Sequence, residues 1–310
     1  MQAKETIGFI GIGRMGYPMA GHLARAGYRV LVWDTNQDAV NGFHAEHGGS
    51  AASDIAALAR ESDVVITMLP TSKIVRDVVL GTPEKPGLAA GMRPGTLVID
   101  TSTSDPHDTR ALGAGLAAFG VETVDAPVAG GVVFARDGTL DILVGGADDI
   151  VARAEPILRA MGRSCTHCGP LGAAHAMKAL NNFVNAAVLT VNLEAIVAGR
   201  QFGISEEIIL SSLEAATMGR NHPYEKKIKL QVLNRRFASG MAMGLIAKDV
   251  SIARDLIATM GGRGPLASCV TQLWRDASDE LGFNSDQTEI ARYWENAAGV
   301  TLGKDRDADG

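Results

Sequence analysis

The stretch TIGFIGIGRMGYPMAGHLARAGYRVLVWD, Thr6 to Asp34, decides the fold. A β-branched apolar run, Thr6 to Ile10, meets a loop built on Gly11, Gly13 and Gly16 with Arg14 and Met15 between them. A helix-like Tyr17 to Ala26 follows, then a second apolar run, Arg29 to Trp33, closed by Asp34. A glycine turn between strand and helix lets the backbone approach a pyrophosphate, and the helix start supplies amides and a positive dipole end. A carboxylate about 20 residues further on accepts from ribose hydroxyls. Asp34 comes 18 residues after Gly16, and Thr35 and Asn36 follow it rather than arginine. The pattern therefore points to a dinucleotide and favours NAD over NADP, whose 2′-phosphate a carboxylate repels. Glycine turns also serve strand-to-helix packing alone; strand, helix and acid in register make cofactor binding the stronger reading.

Outward from this unit, short Val/Ile-rich runs recur at Val64 to Leu69, Leu97 to Ile99, Glu122 to Val124 and Ile142 to Val144. Helix-like pieces at Asn36 to Glu46, Ser53 to Ala59 and Pro106 to Phe119 carry Asn, Ser or Asp near their starts. Strands alternating with helices imply a parallel sheet covered on both faces. After Gly169 the strand signals stop, and long helices are expected, broken at Gly203, Gly219 to Pro223 and Gly261 to Pro265. Three parts are expected: an α/β domain at residues 1–169, an all-helical domain at 170–300, and a polar tail at 301–310.

The 310 residues, 46% hydrophobic, suffice for two packed cores, which excludes a disordered chain. A net charge of −6 without a Lys/Arg cluster argues against nucleic acid as a partner. The longest uncharged stretch, Ala179 to Leu193, is 15 residues with four asparagines, too short and polar to span a membrane. The opening MQAKETIGFIGIG enters the strand pattern at once, so no secretory leader and a cytoplasmic location are expected. Three cysteines do not make a disulfide framework. Cys165 and Cys168 resemble half a zinc or redox site, but two further ligands are missing and a redox pair should open a helix. They are read as core or loop cysteines, and no metal is expected.

Three further stretches carry chemistry. Val98-Ile-Asp-Thr-Ser-Thr-Ser-Asp-Pro106 places hydroxyls at the carboxyl end of a strand, where open α/β sheets bind ligands. Ser102 and Thr103 are candidates there, and Ser104 or Asp105 also serves as the cap of the helix starting at Pro106. In Asp125-Ala-Pro-Val-Ala-Gly130-Gly131 the paired glycines expose successive amides as an anion nest, or merely turn the chain. Lys178, Asn181, Asn182 and Asn185 recur at i, i+3, i+4 and i+7, with Asn192 on the same side, as a polar stripe on an apolar helix. Interhelical hydrogen bonds are the expected use of Asn185 and Asn192. His175 reads as a polar boundary residue at a helix start. Lys248, in another apolar helix, is either a surface ion or part of a site.

Taken in order, GFIGIGRMGYPMA, IDTSTSDP, DAPVAGG with GTLDILVGG, LGAAHAMKALNN and AKDVSIA resemble the β-hydroxyacid dehydrogenase family, which includes 3-hydroxyisobutyrate dehydrogenases and tartronate semialdehyde reductases. The resemblance spans residues 7 to about 255. It implies a Rossmann domain joined by one long helix to an all-helical domain that binds substrate and forms a homo-oligomer, a dimer or tetramer. It further implies Lys178 as the catalytic lysine and substrate contacts from Asn182, Ser102, Gly130 and Gly131. Leu69, Pro70 and Thr103 would line the cofactor beside the glycine loop, and Lys248 would sit near the nicotinamide. Three departures stand out: Ala129 where the family has Ser, Phe134 where a small residue is common, and Ala174 in place of a glycine. The first two remove a donor and fill space, which ranks 3-hydroxyisobutyrate and 3-hydroxypropionate ahead of glycerate and tartronate semialdehyde, with sugar phosphates last.

The expected chemistry is reversible hydride transfer between NAD and a small β-hydroxyacid or its semialdehyde. Lys178 acts as general base only if its pKa falls below the ordinary value of about 10.4, as partial burial and a nearby positive nicotinamide both favour. Two competing readings are a decarboxylating enzyme like 6-phosphogluconate dehydrogenase, for which the chain is short and lacks a phosphate cluster, and a non-catalytic NAD sensor, which has no need of Lys178 with Asn182.

Overall fold

Alternate residues of the apolar runs leave one sheet on opposite faces, and each face finds its own core. Ile7 and Phe9 enter one buried cluster with Val30, Val32, Val64, Ile66, Leu97 and Ile99. Their neighbours Ile10, Leu31, Val65 and Val98 enter another. Full burial on both faces is why these strands read as continuous apolar runs rather than as alternating ones. Each such side chain, removed from water, contributes roughly 1.5–3 kcal/mol.

The computed structural model describes residues 4–48, 50–51, 54–201, 203–216, 224–259, 261 and 264–303. The expected break at Gly219 to Pro223 and most of the expected polar tail, 304–310, lie outside the described residues. The chain opens with β1 (Thr6–Ile10), α1 (Gly16–Arg25), β2 (Arg29–Trp33), α2 (Gln37–His47), β3 (Ser50–Ala51), α3 (Ile55–Glu61), β4 (Val64–Thr67) and α4 (Ser72–Val79). A small hairpin, β5 (Gly81–Thr82) and β6 (Lys85–Pro86), precedes β7 (Leu97–Asp100), α5 (Pro106–Ala117) and β8 (Glu122–Asp125). Then come β9 (Val128–Ala129), α6 (Gly131–Asp137), β10 (Leu140–Gly145), α7 (Asp148–Arg159) and β11 (Gly162–Gly169). The sheet order is β11-β10-β8-β7-β4-β1-β2-β3, with β9 beside β10.

From β3 to β8 the strands are parallel, as expected, but β10 runs antiparallel to β8 and β9. The sheet is therefore mixed. Between β9 and β10 the chain turns back by way of α6, which it enters through Gly130 and Gly131, both at positive φ (120° and 76°). The expected helix starts are capped as their sequences suggest: Asn36 accepts from the amides of Asp38 and Ala39, Asp54 from Ala57, and Asp105 from His107 ahead of Pro106. Ser104 does not cap; its hydroxyl donates to Asp100.

The helical part comprises α8 (Ala173–Gln201), α9 (Glu206–Ala216), a π-helical stretch Tyr224–Val232, α10 (Met243–Thr259), α11 (Pro265–Leu281) and α12 (Ile290–Ala298). Gly203 and Gly261, at φ 96° and 74°, fall between helices where breaks were expected. Leu189, Leu193 and Ile196 of α8 share a core with Ile246 and Val250 of α10, Trp274 of α11 and Ile290 of α12. Contacts divide the chain into two compact units, Met1–Lys178 and Ala179–Gly310, so α8 is the long helix that leads from one into the other. Among the described residues, no helix is long and apolar enough to cross a membrane.

Candidate active site

The glycine loop is shaped by three different constraints. Gly11, at φ 90°, donates its amide to the Trp33 carbonyl at 3.0 Å, and a Cβ on it would run into the Met68 carbonyl. A Cβ on Gly16 would run into the carbonyl of Gly11, so those two glycines serve the chain's own close approach. Gly13 differs, because a Cβ there would meet nothing within 4 Å. The open side of the loop leads to the start of α1, which has no side-chain cap and no acidic residue in its first turn. An uncapped helix N-terminus beside open space fits a pyrophosphate. Asp34 directly follows β2. Its Oδ2 accepts from the Ile12 amide and its Oδ1 from the Asn36 amide, both at 2.8 Å, so it also fastens the loop to the end of β2. The residues present thus fit a nicotinamide dinucleotide. Arg14 and Met15 lie on this loop, Arg14 exposed and Met15 half-buried. A groove of about 420 Å³ beside α1, lined by Arg14, Tyr17, Arg25, Glu46, His47 and Arg136, contains none of the predicted substrate residues.

At the carboxyl ends of β7 and β8 two buried carboxylates organise the neighbouring segment. Asp100 accepts from Thr67 Oγ1 at 2.9 Å, the Ser102 amide at 3.0 Å and Ser104 Oγ at 2.8 Å. Ser102 is fully buried, and its hydroxyl oxygen accepts from the Leu69 amide at 2.9 Å. That bond leaves its hydroxyl proton for another acceptor. Leu69 and Thr103 are half-buried and Pro70 is exposed on the same edge. Asp125 accepts from the amides of Gly172 at 2.7 Å and His175 at 2.8 Å, so a strand end caps the first turn of α8. Gly130 and Gly131 are exposed; Phe134 packs where a Cβ on Gly130 would lie, with Arg163 over its ring at 5.6 Å. Ala129 pairs with Asp141 in the ladder, and Ala174 is fully buried.

His175 departs most from expectation. Instead of a polar boundary residue it is fully buried, with Nδ1 2.8 Å from Thr109 Oγ1 and Nε2 3.0 Å from the Ser102 carbonyl oxygen. Burial follows from its place on the face of α8 that Asp125 draws against the sheet. Lys178 lies three residues on, half-buried.

In the second unit Asn182 is buried and donates through Nδ2 to Asp249 Oδ2 at 2.7 Å. The other oxygen of Asp249 is 3.1 Å from Lys248 Nζ, an ion-pair distance without hydrogen-bond geometry. Lys248 lines a groove of about 270 Å³ with Ser251, Arg275 and Phe283. Asn185 does not use its amide as expected: it donates within α8, to the carbonyl of Asn181 at 2.9 Å, and Asn192 also donates to a carbonyl of its own helix, that of Val188 at 2.6 Å. A short polar side chain reaches the carbonyl four residues back more easily than a neighbouring helix.

The sequence reading missed Asp100, Asp125 and Asp249 as site organisers. The signal was present, since two aspartates end adjacent strands and one follows Lys248. Cys165 and Cys168 lie on β11 as free thiols, and burial pushes both up in pKa, away from a reactive thiolate. Among the described residues no three His, Cys, Asp or Glu side chains gather as metal ligands.

Comparison with known proteins converges on one group. A family model described as the NAD binding domain of 6-phosphogluconate dehydrogenase matches residues 6–169, and one described as NAD-binding of NADP-dependent 3-hydroxyisobutyrate dehydrogenase matches residues 172–294. A probable mitochondrial 3-hydroxyisobutyrate dehydrogenase of Arabidopsis thaliana is 35% identical over 94% of this chain and 88% of its own length. An NAD-dependent L-serine dehydrogenase of Pseudomonas aeruginosa is 34% identical over 87% of this chain and 91% of its own. The solved Mycobacterium tuberculosis 3-hydroxyisobutyrate dehydrogenase with L-serine superposes with a TM-score of 0.81 at 31% identity, covering 94% of this chain and 99% of that one.

Proposed function

This chain belongs to the β-hydroxyacid dehydrogenase family, and from that premise we propose that it interconverts a small 3-hydroxyacid and its semialdehyde using NAD, with Lys178 as general acid/base. It is a nicotinamide-dependent hydroxyacid dehydrogenase. The observation that carries the finer reading is the clamping of α8 to the carboxyl edge of the sheet. Asp125 holds the amides of Gly172 and His175, and the Ser102 carbonyl meets the His175 ring, one helical turn before Lys178. A lysine set there has a hydroxyl cluster and a glycine nest within its own unit.

Oxidation removes two hydrogens from the carbinol, one as hydride and one as a proton. A bound nicotinamide would supply the acceptor for the hydride. Lys178 takes the proton in oxidation and returns it in reduction. Ser102 and the amides of Gly130 and Gly131 hold the substrate carboxylate, and Asn182, one turn after Lys178, fixes the hydroxyl. The loop from Gly11 to Gly16 would hold the pyrophosphate, and Leu69, Pro70, Thr103 and Lys248 would serve the cofactor as the family resemblance implies. Asp34 makes NAD the preferred cofactor, because its carboxylate repels a 2′-phosphate. The helical domain supplies substrate contacts and a homo-oligomeric surface, supported by Val184 and Val191, which are 57% and 63% exposed one heptad apart on α8.

3-Hydroxyisobutyrate, L-serine and glycerate share a hydroxymethyl carbon and a carboxylate and differ only at C2, which bears methyl, ammonium or hydroxyl. Ala129 offers no hydroxyl to the carboxylate and Phe134 leaves less room, so the small acids 3-hydroxyisobutyrate and 3-hydroxypropionate rank first, and glycerate with tartronate semialdehyde is the second reading. Following reduced cofactor with NAD and with NADP, on acids varied only at C2, tests the assignment. A higher kcat/KM for glycerate than for 3-hydroxyisobutyrate reverses the ranking, and equal use of NADP removes the role given to Asp34.

A further inference from the structure

The ring of His175 is held at every polar atom although no step of the proposed reaction uses it. Its Nε2 lies 3.0 Å from the carbonyl oxygen of Ser102, and a carbonyl only accepts, so Nε2 carries a proton. Nδ1 lies 2.8 Å from Thr109 Oγ1, a hydroxyl that also reaches the Asp105 carbonyl at 2.9 Å. The His175 amide donates to Asp125 Oδ2. Two buried carboxylates face the ring: Asp100, 3.9 Å from Nε2, and Asp125, 3.8 Å from Nδ1. One side chain thereby joins the end of β7, the end of β8, α5 and the first turn of α8, all inside the first unit. The ring is fully buried, and both of its nitrogens already face partners within the chain.

Its two ends matter unequally. On one side lies Ser102, the residue assigned to the substrate carboxylate; on the other, three residues along the helix and on the adjacent turn, lies Lys178. We propose that His175 is a positioning residue whose Nε2–H bond to the Ser102 carbonyl sets the spacing between the carboxylate-holding segment and the acid/base lysine. This rests on the functional reading above. Proton and hydride transfer from one carbinol need both groups in near-attack geometry, and a displacement of about 1 Å costs up to about 10²-fold in rate. A histidine that only filled the core would influence stability and leave that spacing alone.

Two substitutions separate the cases. Glutamine reaches far enough to place a donor near the position of Nε2, whereas asparagine places one near Nδ1. His175→Asn should lower kcat by at least about tenfold with the KM for NAD within about twofold, and His175→Gln should recover most of that loss, although both lower Tm. Equal kcat losses in the two variants, or losses that follow Tm, overturn the proposal. A measurement on the wild type needs no variant to fold: in ¹⁵N-labelled protein at neutral pH, the His175 Nε2 should show a slowly exchanging N–H correlation. An unprotonated Nε2 overturns the proposal whatever the kinetics. If Nε2–H is present but the wild type oxidises no 3-hydroxyacid, the functional reading falls and takes the positioning role with it. That result is distinct from loss of the bond in an active enzyme.

Discussion

Helices α1 and α8 both start from glycine turns at the carboxyl edge of the same sheet, and they end up opposite in kind. The amides at the start of α1 meet no side-chain cap, and a Cβ on Gly13 would face open space. Those at the start of α8 are taken by Asp125, a fully buried carboxylate from β8. The chain's own anion closes one positive helix end and leaves the other open to a ligand's anion. A glycine turn before a helix therefore does not by itself mark a phosphate site; what marks it is the absence of a protein group in the space it opens.

The comparison breaks first at Asp125. Asp125→Ala strips the cap from α8 and leaves two buried amides beside the His175 ring unpaired, at a cost of about 3 kcal/mol or more. Calorimetry should show Tm falling by about 6–12 °C; a fall within 1–2 °C would mean that α8 needs no cap from the sheet. Next is Lys178→Ala, on the capped helix but outside its clamp. Turnover should drop by ~10² or more while Tm and the Kd for NAD stay near wild type, and steady-state kinetics with near-normal kcat would move the acid/base role elsewhere, Lys248 first.

The open helix is sharpened by a pair of glycine substitutions. Gly13→Ala should leave Tm unchanged and weaken NAD by about tenfold in a binding titration, because the new methyl occupies space the cofactor needs. Gly16→Ala should do the reverse in kind, lowering Tm through collision with the Gly11 carbonyl. Wild-type NAD affinity in Gly13→Ala would remove the assignment of the open end.

A surface carboxylate sets the lower bound for such charge effects. Hydrogen bonds from Arg163, then from Ser164, hold Asp141 at a pKa of about 2, down from its ordinary value of 3.8. A carboxyl depressed on folding stabilises fully above pH 4, and that contribution fades as pH falls toward 2. Both side chains are about half exposed, so solvent screens the pair, and Asp141→Asn should lower Tm at pH 6 by no more than about 2 °C. The difference should vanish near pH 2; a constant difference across that range would rule out the ion pair as its source.

Much of the fold was legible because its signals are local. Thr6–Ile10, Arg29–Trp33 and Leu97–Asp100 announce buried strands by composition, and Asn36, Asp54 and Asp105 announce helix starts by chemistry that acts within three residues. The antiparallel β10 was not legible, since strand direction depends on where the chain reverses, and Gly130-Gly131 reads equally as nest or turn. His175 was misplaced for a related reason. A histidine at a helix start looks solvated unless the partners that bury it, Asp125 and Asp100, 50 and 75 residues earlier, are known to lie against it.

The sequence by itself determined an α/β unit with a dinucleotide loop, a helical unit after it, and the residue types available for hydride and proton transfer. These follow from the periodicity of apolar side chains and the stereochemistry of glycine, which act over a few residues. Only the tertiary structure decided which helix end stays open, which carboxylates are buried, and that Asn182 belongs to Asp249 while Asn185 turns back on its own helix. Those outcomes rest on hydrogen bonds between residues as many as 67 positions apart. A buried polar group must take whatever partner the folded chain brings within about 3 Å, and no stretch of sequence names that partner in advance.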